Sequence, residues 1–280
     1  MSNMVLDFKI TGDCNSNCHF CWDFCKAQIG SDVEIIYGAL TKLSDAGVRF
    51  VSLTGGEPLI YPDISKVLRK LHELGIKVYL STNGYLLDTF LDDIIANVDI
   101  VGLPLDSCDR TINLKMGRSP DMFSMTLDNI RRIKERAPWI RVKIGTVVTK
   151  ENINEIMCVG TSLFASDYPP DNWRVYQYTA MGNQKNNLET YSISDTVFGN
   201  LCMLLKNKFE DKVSFLSSAD VSGSYLFISP QLDIQIVKEQ TAVKIGNVLS
   251  MELADLRFVL EEEHGVAEQA LIKRAHLAQR

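Results

Sequence analysis

Six times between residues 5 and 178, a short apolar run of alternating character gives way to a longer stretch of helical period. Spacing this tight between strands leaves room for crossover helices and parallel pairing, and for little else. The strands are expected at 5–10, 50–53, 77–80, 100–105, 140–148 and 173–178. Ser31 and Glu34 read as a capping box, with Ile35, Ile36, Ala39, Leu40 and Leu43 on one helical face behind it. Further helices are expected at 64–74, stopped by Gly75, and at 86–96, 121–136 and 151–165. The pattern predicts an α/β chain built as a partial (βα)6 barrel of the TIM type, open on one side. Residues 1–180 form this barrel. Residues 181–280 change character, with a polar loop over Asn183–Asn187, a helix at 195–209, a hairpin turned at Pro230-Gln231 and a helical end over 251–278. With no proline- or serine-rich linker between the parts, this extension is expected to pack across the barrel opening as one structural unit with it.

Chemistry concentrates just past the predicted strand ends, the face where barrel enzymes build their sites. Cys14, Cys18 and Cys21 form a CxxxCxxC loop directly after the first strand. A [4Fe–4S] cube takes one thiolate per iron, so three thiolates leave one iron open for chemistry. A structural zinc site is the alternative, but it needs a second knuckle, and Cys108, Cys158 and Cys202 are isolated. Adding Cys25 gives CxxxCxxCxxxC, which would close the cluster and make an electron carrier. Otherwise Cys25 is a free thiol in the following turn. His19 lies inside the loop and is read as solvent-facing.

Composition narrows the setting. The chain has 280 residues, 46% hydrophobic and 23% charged, with a formal net charge of -6. That balance offers no electrostatic footprint for nucleic acid or an anionic membrane surface. No apolar run approaches the ~20 residues a membrane span requires, and the N-terminus lacks the layout of a signal peptide. A cytoplasmic, reducing location follows. The seven cysteines are then read as metal or redox chemistry rather than a disulfide framework.

The cysteine loop and Gly55-Gly56-Glu57-Pro58, which follows the second strand, together resemble the radical S-adenosylmethionine (SAM) enzymes, over residues 5–180. The resemblance implies a [4Fe–4S] cluster on Cys14, Cys18 and Cys21, and SAM bound through the open iron. It implies that the backbone at Phe20 touches the adenine and that Gly55, Gly56 and Glu57 hold the SAM amino group. Thr82 and Asn83, in Ser81-Thr82-Asn83-Gly84, are implied near the ribose and carboxylate, with a plain Asn-Gly turn as the rival reading. Asp106 is implied at the ribose, with a helix cap as rival.

Within the family, the chain resembles the viperin-like members. Leu105-Asp106-Ser107 precedes a Gly117-Arg118 pair, whose arginine there meets the SAM carboxylate, a task that suits guanidinium geometry. Lys143 in Val142-Lys143-Ile144 and the segment Trp173-Arg174-Val175-Tyr176-Gln177 follow the same pattern. So does Ser224-Tyr225-Leu226-Phe227-Ile228. Two positions depart from it. Gly145 stands where asparagine is usual, and Val221-Ser222-Gly223 replaces a basic residue, which leaves a triphosphate pocket short of cations.

The expected activity is reductive cleavage of SAM to a 5′-deoxyadenosyl radical that abstracts hydrogen from a small polar substrate, nucleotide or sugar-nucleotide-like. Lys143 is the candidate substrate ligand if it points into the barrel; the alternative is that it snorkels outward. A flavodoxin- or ferredoxin-type reductant is the implied partner. The runner-up is peptide modification, which the short stretch before the first strand and the lack of an auxiliary-cluster tail disfavour. The rival from another class is a non-catalytic iron–sulfur electron carrier or sensor.

Overall fold

Strands and helices alternate as expected through the first 177 residues in the computed structural model, which describes residues 5–181, 188–221, 225–238 and 241–262. In order they are β1 (Val5–Lys9), α1 (Val33–Asp45), β2 (Phe50–Thr54), α2 (Ile64–Glu73), β3 (Lys77–Ser81), α3 (Leu91–Asn97) and β4 (Ile100–Pro104). Then come α4 (Arg110–Lys115), α5 (Met122–Arg136), β5 (Arg141–Val148), α6 (Ile156–Ala165) and β6 (Asn172–Gln177). The C-terminal region adds α7 (Leu188–Tyr191), α8 (Asp195–Phe209), β7 (Val213–Leu216), α9 (Ser218–Val221), β8 (Leu226–Ile228), β9 (Asp233–Lys238) and β10 (Thr241–Asn247). A helix over 253–262 follows. The expected loop at Asn183–Asn187 and the helical end beyond 262 lie outside the described residues.

All the strands join one ten-stranded sheet in the order β10-β9-β8-β1-β2-β3-β4-β5-β6-β7. Neighbours from β1 to β7 pair in parallel, and β8 pairs in parallel with β1. Eight adjacent strands therefore run parallel where the periodicity predicts six. Of the two extra strands, β8 is the first strand of the expected hairpin, here paired also with β1, and β7, of four residues, is too short to show a period. The extension thus lengthens the sheet at both edges. β8, β9 and β10 form an antiparallel meander turned at the expected Pro230-Gln231.

Strand alternation separates two environments. Leu6, Phe8, Val51, Leu53, Val142 and Ile144 are fully buried and join the core that the helices cover. Asp7, Lys9, Ser52, Tyr79 and Lys143, on the opposite faces, line an interior cavity. In α1 the cap is Asp32, not Ser31: Asp32 accepts the Glu34 amide at 2.9 Å, while the Ser31 hydroxyl donates to the Pro230 carbonyl at 2.8 Å. The buried stripe is Val33, Ile36, Ala39, Leu40 and Leu43, and Ile35 is 46% exposed. The helix expected at 86–96 begins only at Leu91. Before it, the Asn83 side chain accepts the Tyr85 amide at 3.1 Å and holds the chain in turns.

Candidate active site

The loops past the C-terminal ends of β1 to β4 converge on the mouth of a cavity of about 400 Å³. Ten of the candidates named from sequence line it: Cys14, Cys18, Phe20, Cys21, Gly55, Gly56, Thr82, Asn83, Arg118 and Lys143. Glu57 and Asp106 do not, and each is buried one step behind a residue that does.

Gly55 and Gly56 let the loop after β2 lie directly against the cysteine loop. The Gly56 amide donates to the Thr11 carbonyl at 2.7 Å, and the Glu57 amide to Asp13 at 2.8 Å. A Cβ on Gly56 would sit 2.1 Å from the Asp13 oxygen, and one on Gly55, at φ +150, 2.3 Å from that of Thr11. No side chain fits at either position.

Glu57 turns away from the cavity. It accepts the Thr82 hydroxyl at 2.6 Å, the Asn83 amide at 2.6 Å and the Leu59 amide at 3.0 Å. Burial pushes its pKa up, against those hydrogen bonds. Asn83 in turn reaches the cysteine loop: its side-chain amide donates to Asn15 Oδ1 at 2.6 Å and Ser16 Oγ at 3.2 Å, and lies 3.9 Å from Cys14 Sγ. One buried carboxylate thereby orients the segment that braces the cysteines.

Asp106 plays the matching part on the other side. Its Oδ1 accepts the Val147 amide at 2.8 Å, and Oδ2 accepts Arg118 Nε at 2.9 Å. The Arg118 guanidinium lies 5.1 Å from the centre of the Phe20 ring. Burial works against its charge, but Asp106 and the neighbouring Cys18 and Cys21 outweigh it, so its pKa is raised.

The thiols sense one another. Burial pushes Cys18 up to about 11; Arg118 opposes this, and Cys21, Asp106 and Cys14 add to it. Cys14 is raised by burial too. Among the described residues, no three His, Cys, Asp or Glu side chains are arranged to hold a single metal ion. Three thiols lining one cavity are the donor set that a cube open at one iron takes. Cys25 lies elsewhere, fully buried among Met181, Leu216, Tyr225, Phe227 and Val237. Burial, opposed by Lys9, pushes it up to about 11. His19 is exposed, as expected, and its ring meets the Lys115 carbonyl at 3.0 Å.

Deeper in the cavity, Lys143 points inward and is 6% exposed. Its Nζ lies 5.2 Å and 5.8 Å from the ring centres of Tyr79 and Tyr176. Gly102, beside Lys143 in register, leaves the space that the Tyr79 ring fills. Gly145 also lines the cavity, and of Val221-Ser222-Gly223 positions 222 and 223 lie outside the described residues. Sequence reasoning missed Lys9, Asp23 and Trp22, which line the cavity together with Tyr225 of the 224–228 segment. The signal for Lys9 was present in the β1 alternation, where Asp7 and Lys9 interleave with apolar Leu6 and Phe8.

The family model described as the Radical SAM superfamily matches residues 8–157, more than half of the chain. The chain belongs to that superfamily. An S-adenosylmethionine-dependent nucleotide dehydratase of Flammeovirga pacifica is 30% identical over 242 residues, 80% of this chain and 79% of that protein. The relative named S-adenosylmethionine-dependent nucleotide dehydratase RSAD2, of Oncorhynchus mykiss, is 26% identical, with 69% of this chain and 58% of that protein aligned. With the family model and these relatives, the chain is a viperin-like radical SAM enzyme. The fold matches native anSMEcpe with bound AdoMet and Kp18Cys peptide at a TM-score of 0.71 and 17% identity, covering 95% of this chain and 83% of the other. Among the described residues, no helix is long and apolar enough to cross a membrane.

Proposed function

We propose that this radical SAM enzyme carries a [4Fe–4S] cluster on Cys14, Cys18 and Cys21, binds SAM beside it, and removes hydrogen from a small polar nucleotide or sugar-nucleotide-like molecule. The observation that carries the reading is one cavity lined both by the three thiols and, deeper in, by the Lys143 ammonium between two tyrosines. When bound, the cluster and SAM supply one-electron cleavage of a carbon–sulfur bond, yielding a 5′-deoxyadenosyl radical. The chain's own residues do the positioning. Gly55 and Gly56 open backbone to the SAM amino end, the Phe20 backbone meets the adenine, and Arg118, steadied by Asp106, meets the carboxylate. Glu57 acts through Thr82 and Asn83. Lys143 offers a cation to an anionic group of the substrate, and the walls of the cavity hold the target C–H close and exclude water. A flavodoxin- or ferredoxin-type protein is the proposed reductant. The nucleotide class draws on the names of the two relatives, and the peptide-bound neighbour shares only the fold.

Reconstituted protein should hold about four irons per chain. Cys14→Ala, Cys18→Ala and Cys21→Ala should each lose them, and Cys25→Ala should keep them. In dithionite-reduced enzyme, nucleoside triphosphates or nucleotide sugars should raise 5′-deoxyadenosine formation above the uncoupled rate. Lys143→Ala should lose that stimulation while retaining slow SAM cleavage. Stimulation by a short peptide and by no nucleotide would overturn the substrate class.

A further inference from the structure

Lys9 and Asp23 have no part in the roles described so far. Lys9 Nζ and Asp23 Oδ1 are 2.6 Å apart, with side chains 7% and 9% exposed. A buried ion pair is poor evidence for stability, since two ions leave water to form it and apolar pairs of similar size commonly serve the fold as well. Its position is more telling. The same Oδ1 accepts the Cys25 amide at 3.1 Å. Lys9 Nζ also lies 4.8 Å from the Phe227 ring centre and 5.8 Å from that of Phe24.

The grip extends over the four residues after the third cysteine, Trp22 to Cys25. Trp22 packs on Tyr225 at 5.1 Å between ring centres, and Phe24 stacks on Phe227 at 5.9 Å. Cys25 is fully buried. Cys21 itself is exposed, as are Asp13, Cys14, Asn15 and Asn17, and the N-terminal arm of the loop is held separately, by the Glu57 amide on Asp13 and by Asn83 on Asn15 and Ser16. One arm of the loop is therefore clamped to β1 and β8, and Cys21 sits at the end of that arm.

We propose that Lys9 and Asp23 are positioning residues that set Cys21 at the separation from Cys14 and Cys18 that a three-thiolate cluster requires. This rests on the cluster-binding reading above. The bond from Asp23 to the Cys25 amide gives the arm its direction, and Lys9 holds Asp23 in place against β1.

The test is cluster retention in the reconstituted full chain. Lys9→Met/Asp23→Leu removes both charges without stranding either. Iron release to a chelator should be faster than in the parent by roughly 10–100-fold, the factor by which metal affinity falls when groups supporting the ligands are removed. The spectrum of the reduced cluster by electron paramagnetic resonance should change as well, in protein that circular dichroism shows to be folded. Lys9→Arg should restore the parental release rate. If the double variant does not fold, Asp23→Asn, which keeps an acceptor for the Cys25 amide, should give an intermediate rate. The parental rate and spectrum in the double variant or in Asp23→Asn would overturn the proposal. A parent that takes up no iron would instead remove the cluster reading itself.

Discussion

Glu57 is conspicuous in the sequence for a segment expected to touch a cofactor, yet its carboxylate acts from behind the cavity wall. Its pKa is raised by burial from the ordinary 4.5, so the folded state holds the Glu57 proton more tightly than the unfolded chain does. That contribution to stability is present below the unfolded pKa and is lost as pH rises through the folded value. Glu57→Gln sets an amide NH2 against the Asn83 N–H and should destabilise the cluster-free protein by about 1–3 kcal/mol. The difference from the parent should narrow as pH climbs above 4.5, because only the parent titrates; denaturant unfolding at a series of pH values measures it, and a pH-independent gap would refute the raised pKa. Arg118 carries a second prediction. Arg118→Ala should weaken SAM binding by about 1.5–3 kcal/mol and also leave buried Asp106 uncompensated. Arg118→Lys should recover the stability without the affinity, since an ammonium lacks the planar fork. Calorimetry with parental affinity in both variants would assign Arg118 to the fold alone. The sequence made the thiols and glycines legible because their chemistry is local. It did not separate Thr82 and Asn83 from the buried Glu57 that orients them, because that division depends on which way a side chain turns at a strand end.

At the scale of elements, the turn that delivers Arg118 depends on Gly117. Its φ is +75, and a Cβ there would lie 2.2 Å from the Asn17 carbonyl oxygen of the cysteine loop. Gly117→Ala therefore combines left-handed strain with a backbone collision, and the two segments have to separate. Iron incorporation should fall together with the unfolding midpoint, and measuring both on one preparation tests this; full iron content would mean that the loops yield without disturbing the thiols. Periodicity made α1, α2 and α5 readable, since each buries a stripe wide enough to show. It failed for the start of α3, where the Asn83 bond to the Tyr85 amide overrides helical propensity. It failed again for β7, whose four residues are too few to show a period.

Across the whole molecule, the hairpin of the C-terminal extension supplies the neighbour of β1, and β1 supplies Lys9 and leads into the cysteines. The barrel strands and the extension share one sheet and one principal core, so they should unfold together. A single denaturant transition, coincident by far-ultraviolet circular dichroism and tryptophan fluorescence, is expected. Two separated transitions would show that the extension folds by itself.

The bonds of Asn83 carry a thermodynamic consequence. Its side-chain amide already donates to Asn15 and Ser16. A ligand that recruits this amide has to exchange one partner for another, and gains only the difference between the two bonds. Affinity then becomes sensitive to what the loop surrenders, and weakening the bonds from Asn83 to Asn15 and Ser16 would tighten ligand binding at the expense of order in the empty protein. Occupancy and loop order are thus linked reciprocally: whatever steadies the loop without Asn83 raises the apparent affinity for a ligand that needs it.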